Sequence, residues 1–127
     1  MRILLIDTNQ EAREAVAARL KENGMDCESY SSPVSATFAF AFGPAPYDAV
    51  IAAARMSGMS GYDVLRVFRH IAPEVPVILA RANGDEQRAL SAGAFAVMDG
   101  DSTSELMETL AMTTLHEMES GLDKAMA

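Results

Sequence analysis

A chain of 127 residues has room for about one domain, and with 50% hydrophobic residues it can build a core, which excludes a disordered chain. Its net charge of −8 argues against nucleic acid as a partner of this chain alone, because phosphate contacts need a basic surface. The single cysteine, Cys27, excludes an internal disulfide and suits a reducing cytoplasm, no apolar run approaches the ~20 residues of a membrane-spanning helix, and MRILLID turns acidic too soon for a signal peptide.

Arg2 to Asp7 is a short apolar run ending in an acid; it reads as a buried strand with Asp7 at its carboxyl end. Thr8 or Asn9 caps the helix that follows, and Glu11 suits its first turn. Ala12, Ala15, Val16, Arg19 and Leu20 form its inner stripe, and Asn23-Gly24 ends it. Met25 to Tyr30 alternates and predicts a half-exposed strand near a sheet edge. Ser31-Ser32-Pro33 then opens a helix with Pro33 at its first position. Within it, Phe38, Phe40 and Phe42 repeat every two residues, whereas Val34, Phe38, Ala41 and Phe42 repeat at helical spacing. A helix is required here, since two parallel neighbours need a crossover, and this choice of stripe points Phe40 away from the core.

Ala49 to Ala53 is a continuous apolar run too short for a helix. Bounded by Pro44, Pro46 and a Gly-containing loop, it reads as a strand buried on both faces. The loop from Arg55 carries Gly58 and Gly61, and a helix over Tyr62 to Ile71 places Val64, Leu65, Phe68 and Ile71 inward, with Arg66, Arg69 and His70 outward. Val75 to Ala80 is a further buried strand. Asn83-Gly84-Asp85 turns into a short helix, Glu86 to Ala92, ending at Gly93, and Ala94 to Met98 is the last strand. Asp99 to Thr103 caps a final helix with Leu106, Met107, Leu110 and Leu115 along its stripe, and from Glu117 the pattern decays into a solvated tail. The division expected is a domain over 1–118 and a tail over 119–127.

Five strands alternating with five helices predict a parallel sheet covered on both faces. Right-handed crossovers leave few topologies, and the doubly wound, flavodoxin-like order 2-1-3-4-5 is the favoured one. In such folds the loops at the carboxyl ends of the strands do the chemistry. Here the central strand ends in Ala52, Ala53 and Ala54, methyl groups where a reactive side chain belongs.

Taken together, MRILLID, YDAVIAAARMSGMSG, VPVILARA and SAGAFAVM resemble, in order and spacing, the first, third, fourth and fifth strand regions of response-regulator receiver domains. The resemblance covers nearly the whole chain. It implies an aspartate nucleophile at the end of the third strand, two acids after the first strand holding Mg²⁺, and a hydroxyl and a lysine contacting the phosphoryl oxygens. On this chain the acceptor position falls on Ala53, the acidic pair on Asp7 and Thr8, the hydroxyl on Arg81 and the lysine on Gly100, with Asp101 in place of the proline after it. The fifth-strand aromatic falls on Val97 and the loop proline on Ser57. The reading is therefore a degenerate receiver without phosphorylation chemistry, an enzyme of no kind, with no cofactor and no metal, Asp7 being at most a residual ligand.

Asp7 is expected to pair with Arg81 at the carboxyl edge of adjacent strands. Asp99 and Asp101 serve as helix caps more simply than as a relocated metal site with Asp7. Arg55, His70 and His116 read as surface residues and Cys27 as a small hydrophobe. Ser57 and Ser60 have no base beside them. Val97, Met98, Met107 and Met112 mark the face of the fourth helix, fifth strand and fifth helix, where the resemblance implies a protein partner or a homodimer, although core filling is the simplest account of Met98 and Met107. Two alternatives stay open: an unorthodox receiver phosphorylated elsewhere, and a small-ligand binder at the carboxyl edge, although Thr8-Asn9-Gln10-Glu11 is no Gly-rich phosphate loop.

Overall fold

The computed structural model describes residues 1–43, 46–99 and 102–126. Five strands alternate with five helices: β1 (Arg2–Ile6), α1 (Gln10–Glu22), β2 (Asp26–Tyr30), α2 (Pro33–Phe42), β3 (Ala49–Ala53), α3 (Gly61–Ile71), β4 (Val77–Ala80), α4 (Glu86–Ala92), β5 (Ala96–Met98) and α5 (Thr103–Met126). The strands form one parallel sheet of order β2-β1-β3-β4-β5. This is the doubly wound, flavodoxin-like arrangement that the alternation predicts.

β1, β3 and β4 occupy the middle, and β3 and β4 are buried along their whole length. Successive side chains of a strand serve opposite faces. Leu4, Ile6, Val50, Ala52 and Leu79 join Ala36, Leu65, Phe68 and Ala89 on the side covered by α2, α3 and α4. Ile3, Leu5, Ile51, Ile78 and Met98 join Val16, Leu20, Leu106 and Leu110 on the side of α1 and α5. The caps follow side-chain chemistry. Asn9 accepts from the Ala12 N–H, Ser32 from the Ser35 N–H, and Ser60 forms a reciprocal capping box with Asp63.

Three stripes differ from expectation. In α2 the inward residues are Pro33, Ala36 and Phe40, while Val34, Phe38 and Phe42 are 58%, 61% and 79% exposed. Both sets have helical spacing, so periodicity alone does not choose between them. Packing chooses Ala36, which lets the helix approach the sheet closely, and Phe40, whose ring meets Phe68 edge-on at 4.6 Å and stacks on Tyr47 at 5.7 Å. In α3, Ile71 turns outward at 48% exposure. In α5, Leu115 is 58% exposed, because it lies on the face of the helix opposite buried Leu106, Leu110 and Thr113, and the helix continues to Met126 through the stretch read as a tail. Phe40→Ala is expected to cost about 3 kcal/mol and Phe38→Ala less than ~0.5 kcal/mol. Urea unfolding of the two variants checks the orientation of α2, and the reverse ranking would refute it.

Cys27 lies half-buried on the edge strand β2. Burial pushes its thiol up to about 11, with Lys21 opposing and Glu28 adding to the shift. Since the thiolate is the reactive form, alkylation by iodoacetamide is expected to be slow at neutral pH and to accelerate roughly tenfold per pH unit up to that value. A rate that levels off below pH 9 would contradict this.

Candidate functional site

The carboxyl ends of β1, β3 and β4 meet in one place. Ile6 stands opposite Ala52, so Asp7 and Ala53 are next in register, and Ala53 stands opposite Ala80, so Arg81 follows at the third strand end. Asp7 is 3% exposed, Ala53 2% and Ala54 3%. The Arg81 guanidinium Nη2 donates to Asp7 Oδ2 at 2.5 Å. The two residues come together, but not from adjacent strands: β3 lies between β1 and β4, so the Arg81 side chain crosses the end of β3 to reach Asp7. The sequence shows the residues but not the strand order that separates them.

The remaining atoms of Asp7 are also engaged. Its Oδ1 accepts from the Asn9 N–H at 2.9 Å, its carbonyl accepts from Arg13 Nη1 at 2.8 Å, and its own N–H donates to the Tyr30 carbonyl at 3.1 Å. A buried carboxylate requires such partners. Arg13 escaped the sequence reading; its signal is its place in the first turn of α1, six residues beyond Asp7. Arg81 is held by its backbone as well. Its N–H donates to the Met98 carbonyl at 2.6 Å, and its φ of 56° lies in the left-handed region, which costs an arginine about 1 kcal/mol.

The other predicted residues are dispersed. Thr8 is half-buried beside Asp7, and the N-cap of α1 falls to Asn9 instead. Gly100 and Asp101 lie outside the described residues, as does Pro44. Asp99 is exposed, and its N–H donates to Glu105 Oε1 at 3.0 Å. Among the described residues no group of three or more His, Cys, Asp or Glu is placed to hold a metal ion. A divalent cation takes oxygen donors, usually more than one of them charged. Among the described residues the ends of β1, β3 and β4 supply one carboxylate, already bonded to a guanidinium, and this donor set does not fit Mg²⁺.

Val97 packs half-buried against the core on the α3 side, and Met98, at 2% exposure, is core on the other. Met98 therefore fills the core, the simpler of its two readings, and is no part of a partner surface. Met107 is half-buried, whereas Met112 is 58% exposed. His70 is exposed on α3, and His116 stands edge-on to Phe95 at 5.5 Å. Beside the Asp7–Arg81 pair, between the loops after β3 and β4, opens a cleft of about 330 Å³ lined by Arg55, Met56, Ser60, Tyr62, Asp85 and Arg88. Arg88 stacks on the Tyr62 ring at 4.1 Å, which closes one wall. At the other end of the sheet, Glu28 accepts from the Tyr47 hydroxyl and from Arg2. The Tyr47 bond first, then Arg2, holds its carboxyl below the usual carboxylate range against the opposing effect of burial.

A parallel sheet of this order, with a buried acid at the carboxyl end of β1, is the doubly wound arrangement whose strand ends form the site. The family model described as the response regulator receiver domain matches residues 3–116, and the chain belongs to that family. Its general role is that of a receiver domain in two-component signalling. Among solved structures it is similar to a response regulator receiver domain protein from Clostridium thermocellum, with a TM-score of 0.85 and 24% identity over 92% of this chain and 96% of that one. It is similar also to the response regulator TrrA from Thermotoga maritima in complex with Mg²⁺-BeF, with a TM-score of 0.79 and 25% identity over 88% and 97%. A third is the N-terminal domain of a response regulator/sensory box/GGDEF three-domain protein from Carboxydothermus hydrogenoformans, with a TM-score of 0.80 and 21% identity over 94% and 99%. No curated protein matches the sequence. Among the described residues no helix is long and apolar enough to cross a membrane.

Proposed function

We propose that this receiver domain signals without accepting a phosphoryl group, by binding a protein partner in the cytoplasm. The observation that carries this reading is the Arg81–Asp7 bond across the end of β3, with Ala53 buried at that strand's end. In the family pattern the third strand ends in the nucleophilic aspartate. A methyl group has no lone pair to attack phosphorus. Arg81 stands where the pattern has a hydroxyl, and Gly100 where it has a lysine, so the phosphoryl group would lose its nucleophile and one of the cations that offset its charge. The Thermotoga relative is a complex with Mg²⁺-BeF; here a guanidinium bonds the one carboxylate that an ion would need.

The energetics point the same way. Moving a two-state domain from mostly off to mostly on takes ~5.5 kcal/mol of differential binding. A phosphoryl group clasped by metal, lysine and hydroxyl is able to supply it, and this site keeps none of the three. The Arg81–Asp7 bond instead favours a single state, in which the domain acts through its surfaces. On the outer side of α5, Met112, Leu115 and Met118 are exposed at 58%, 58% and 66%, and flexible thioether side chains suit a protein contact.

Incubating the full chain with acetyl phosphate and Mg²⁺ and measuring its intact mass tests the chemistry, with no added phosphoryl mass expected. A stable phosphoryl adduct would overturn the reading. For the surface, a pull-down with the chain as bait is expected to lose its partner on Met112→Asp.

A further inference from the structure

The cleft beside the Asp7–Arg81 pair carries hydrogen-bond donors that the proposed function does not use. Arg55 lines it from the loop after β3 and Arg88 from α4, and each guanidinium is a fork of donors without an acceptor. Arg88 lies over the Tyr62 ring at 4.1 Å. Its side chain is 67% exposed, and the Asp85 carboxylate stands 4.0 Å away, the outer limit of an ion pair, so little fixes Arg88 in place. Tyr62 lines the same cleft, and its hydroxyl oxygen is shielded from solvent without a hydrogen-bond partner among the described residues. A buried hydroxyl left unpaired is costly, and native structures leave few of them. Met56, Ala82 and the Tyr62 ring supply apolar wall.

We propose that this cleft is a non-covalent binding site for a small molecule that carries one carboxylate on an apolar body. Charge selects the carboxylate. Arg55 and Arg88 face one acid, Asp85, which leaves the walls one positive charge in excess. Asp63 and Glu86, next to lining residues in sequence, are not walls of the cleft, and Asp63 is engaged by Ser60 and Arg66. A single carboxylate balances the excess and matches the guanidinium fork. A phosphate monoester, with a charge of about −1.5 to −2 near neutrality, overshoots it and meets Asp85. Size selects the body. A volume of about 330 Å³ lies at the low end of small-molecule pockets, ~300–1,000 Å³. Arg88 turning from the ring to the ligand uncovers Tyr62, whose hydroxyl then gains an acceptor. A ligand so held bridges the loop after β3 and the start of α4, an input open to a receiver without an acceptor aspartate. The site does not rest on that reading, because it forms no covalent bond.

Benzoate is the probe, and benzamidine is a cation of the same shape. Titration of the full chain, followed by ¹H–¹⁵N NMR, is expected to shift amides over 54–62 and 82–88 with benzoate. A dissociation constant on the order of 1 mM suits a fragment of ~9 non-hydrogen atoms. Benzamidine is expected to leave those amides in place, although the net charge of −8 favours a cation elsewhere on the surface. Phenyl phosphate is expected to bind roughly threefold more weakly than benzoate and to close that gap in Asp85→Asn. Arg55→Ala and Arg88→Ala each weaken benzoate about fivefold. Arg66→Ala removes an exposed cation from α3, outside the cleft, and leaves the affinity unchanged. Tyr62→Phe weakens benzoate about threefold while its thermal midpoint stays at or above that of wild type, since the hydroxyl it removes has no partner in the free chain. The proposal is overturned if benzoate at ~20 mM shifts no amide of the cleft, or if benzamidine binds as well as benzoate. It is overturned also if phenyl phosphate binds more tightly than benzoate, if Arg66→Ala costs as much as Arg88→Ala, or if Tyr62→Phe and both cleft arginine variants bind like wild type. The mass measurement with acetyl phosphate reads covalent chemistry separately, so either reading can fail without the other.

Discussion

Gly61→Ala is expected to destabilise the domain by about 3 kcal/mol, the upper part of the range for overpacking a tight contact. Gly61 begins α3, and its backbone lies against the end of β3, with its N–H donating to the Ala54 carbonyl at 3.1 Å. A Cβ added there stands 2.3 Å from the Ala53 carbonyl oxygen and 2.9 Å from the Ala54 Cα. Both obstacles are backbone, so no side chain can yield, and either α3 or the end of β3 must move. Two other glycines give the contrast. Gly58 has φ near +80° with nothing within 4 Å of a new Cβ, and its alanine variant costs ~1 kcal/mol of left-handed strain. Gly121, exposed in α5 and equally open, gains up to ~1 kcal/mol from alanine through helix propensity. Thermal unfolding of the three variants is expected to rank Gly121→Ala above wild type, then Gly58→Ala, then Gly61→Ala some 10 °C below wild type. A Gly61→Ala protein as stable as Gly58→Ala would mean that α3 does not press on the end of β3.

Much of this molecule is legible in its sequence. The apolar runs at 2–6, 49–53 and 77–80 are strands because runs that short and that continuous fit a sheet covered on both faces, and the alternation with helices leaves little choice of topology. The caps at Asn9 and Ser32 are local chemistry, readable from a few residues; the Ser60–Asp63 capping box is as local, but a helix read from Tyr62 leaves it out. The failures are contests that local pattern does not decide. In α2 two stripes of equal helical quality compete, and the fit of Phe40 between Phe68 and Tyr47, contacts from 7 and 28 residues away along the chain, selects the second. In α5 apolarity and period disagree: Thr113 keeps the helical period from Leu106 and Leu110 and is buried, whereas Leu115 lies off it and is exposed. At the site, Asp7 and Arg81 are plain in the sequence. That their bond spans the end of β3, and that Arg13 and Asn9 fill the other positions around Asp7, depends on strand order and helix placement.

Ala53→Asp is the variant that asks most of the site. It adds a second carboxylate at a position 2% exposed, next in register to Asp7, with one guanidinium to serve both. Without metal the variant is expected to lose about 3 kcal/mol at neutral pH, the scale of a buried charge without a full partner. The loss has a defined pH dependence. A buried carboxyl beside a like charge has its folded pKa raised above its unfolded value. Its contribution is therefore most favourable below the ordinary carboxylate range and is lost as pH rises through the raised folded value. The stability gap to wild type accordingly narrows on acidification toward pH 4 and is widest near neutrality. Mg²⁺ supplies the other half of the argument. Two carboxylates at adjacent strand ends form the donor set that one does not, so the ion is expected to stabilise Ala53→Asp by ~2.7 kcal/mol at a hundredfold excess over its dissociation constant, while the wild-type midpoint stays within ~1 °C. Adding Arg81→Ala to Ala53→Asp removes the competing cation and is expected to steepen the Mg²⁺ response. Wild-type protein that gains as much from Mg²⁺ as the variant would show that Asp7 exchanges Arg81 for a metal without help, and the Arg81–Asp7 bond would then be a resting partner of the ion's site and not its replacement.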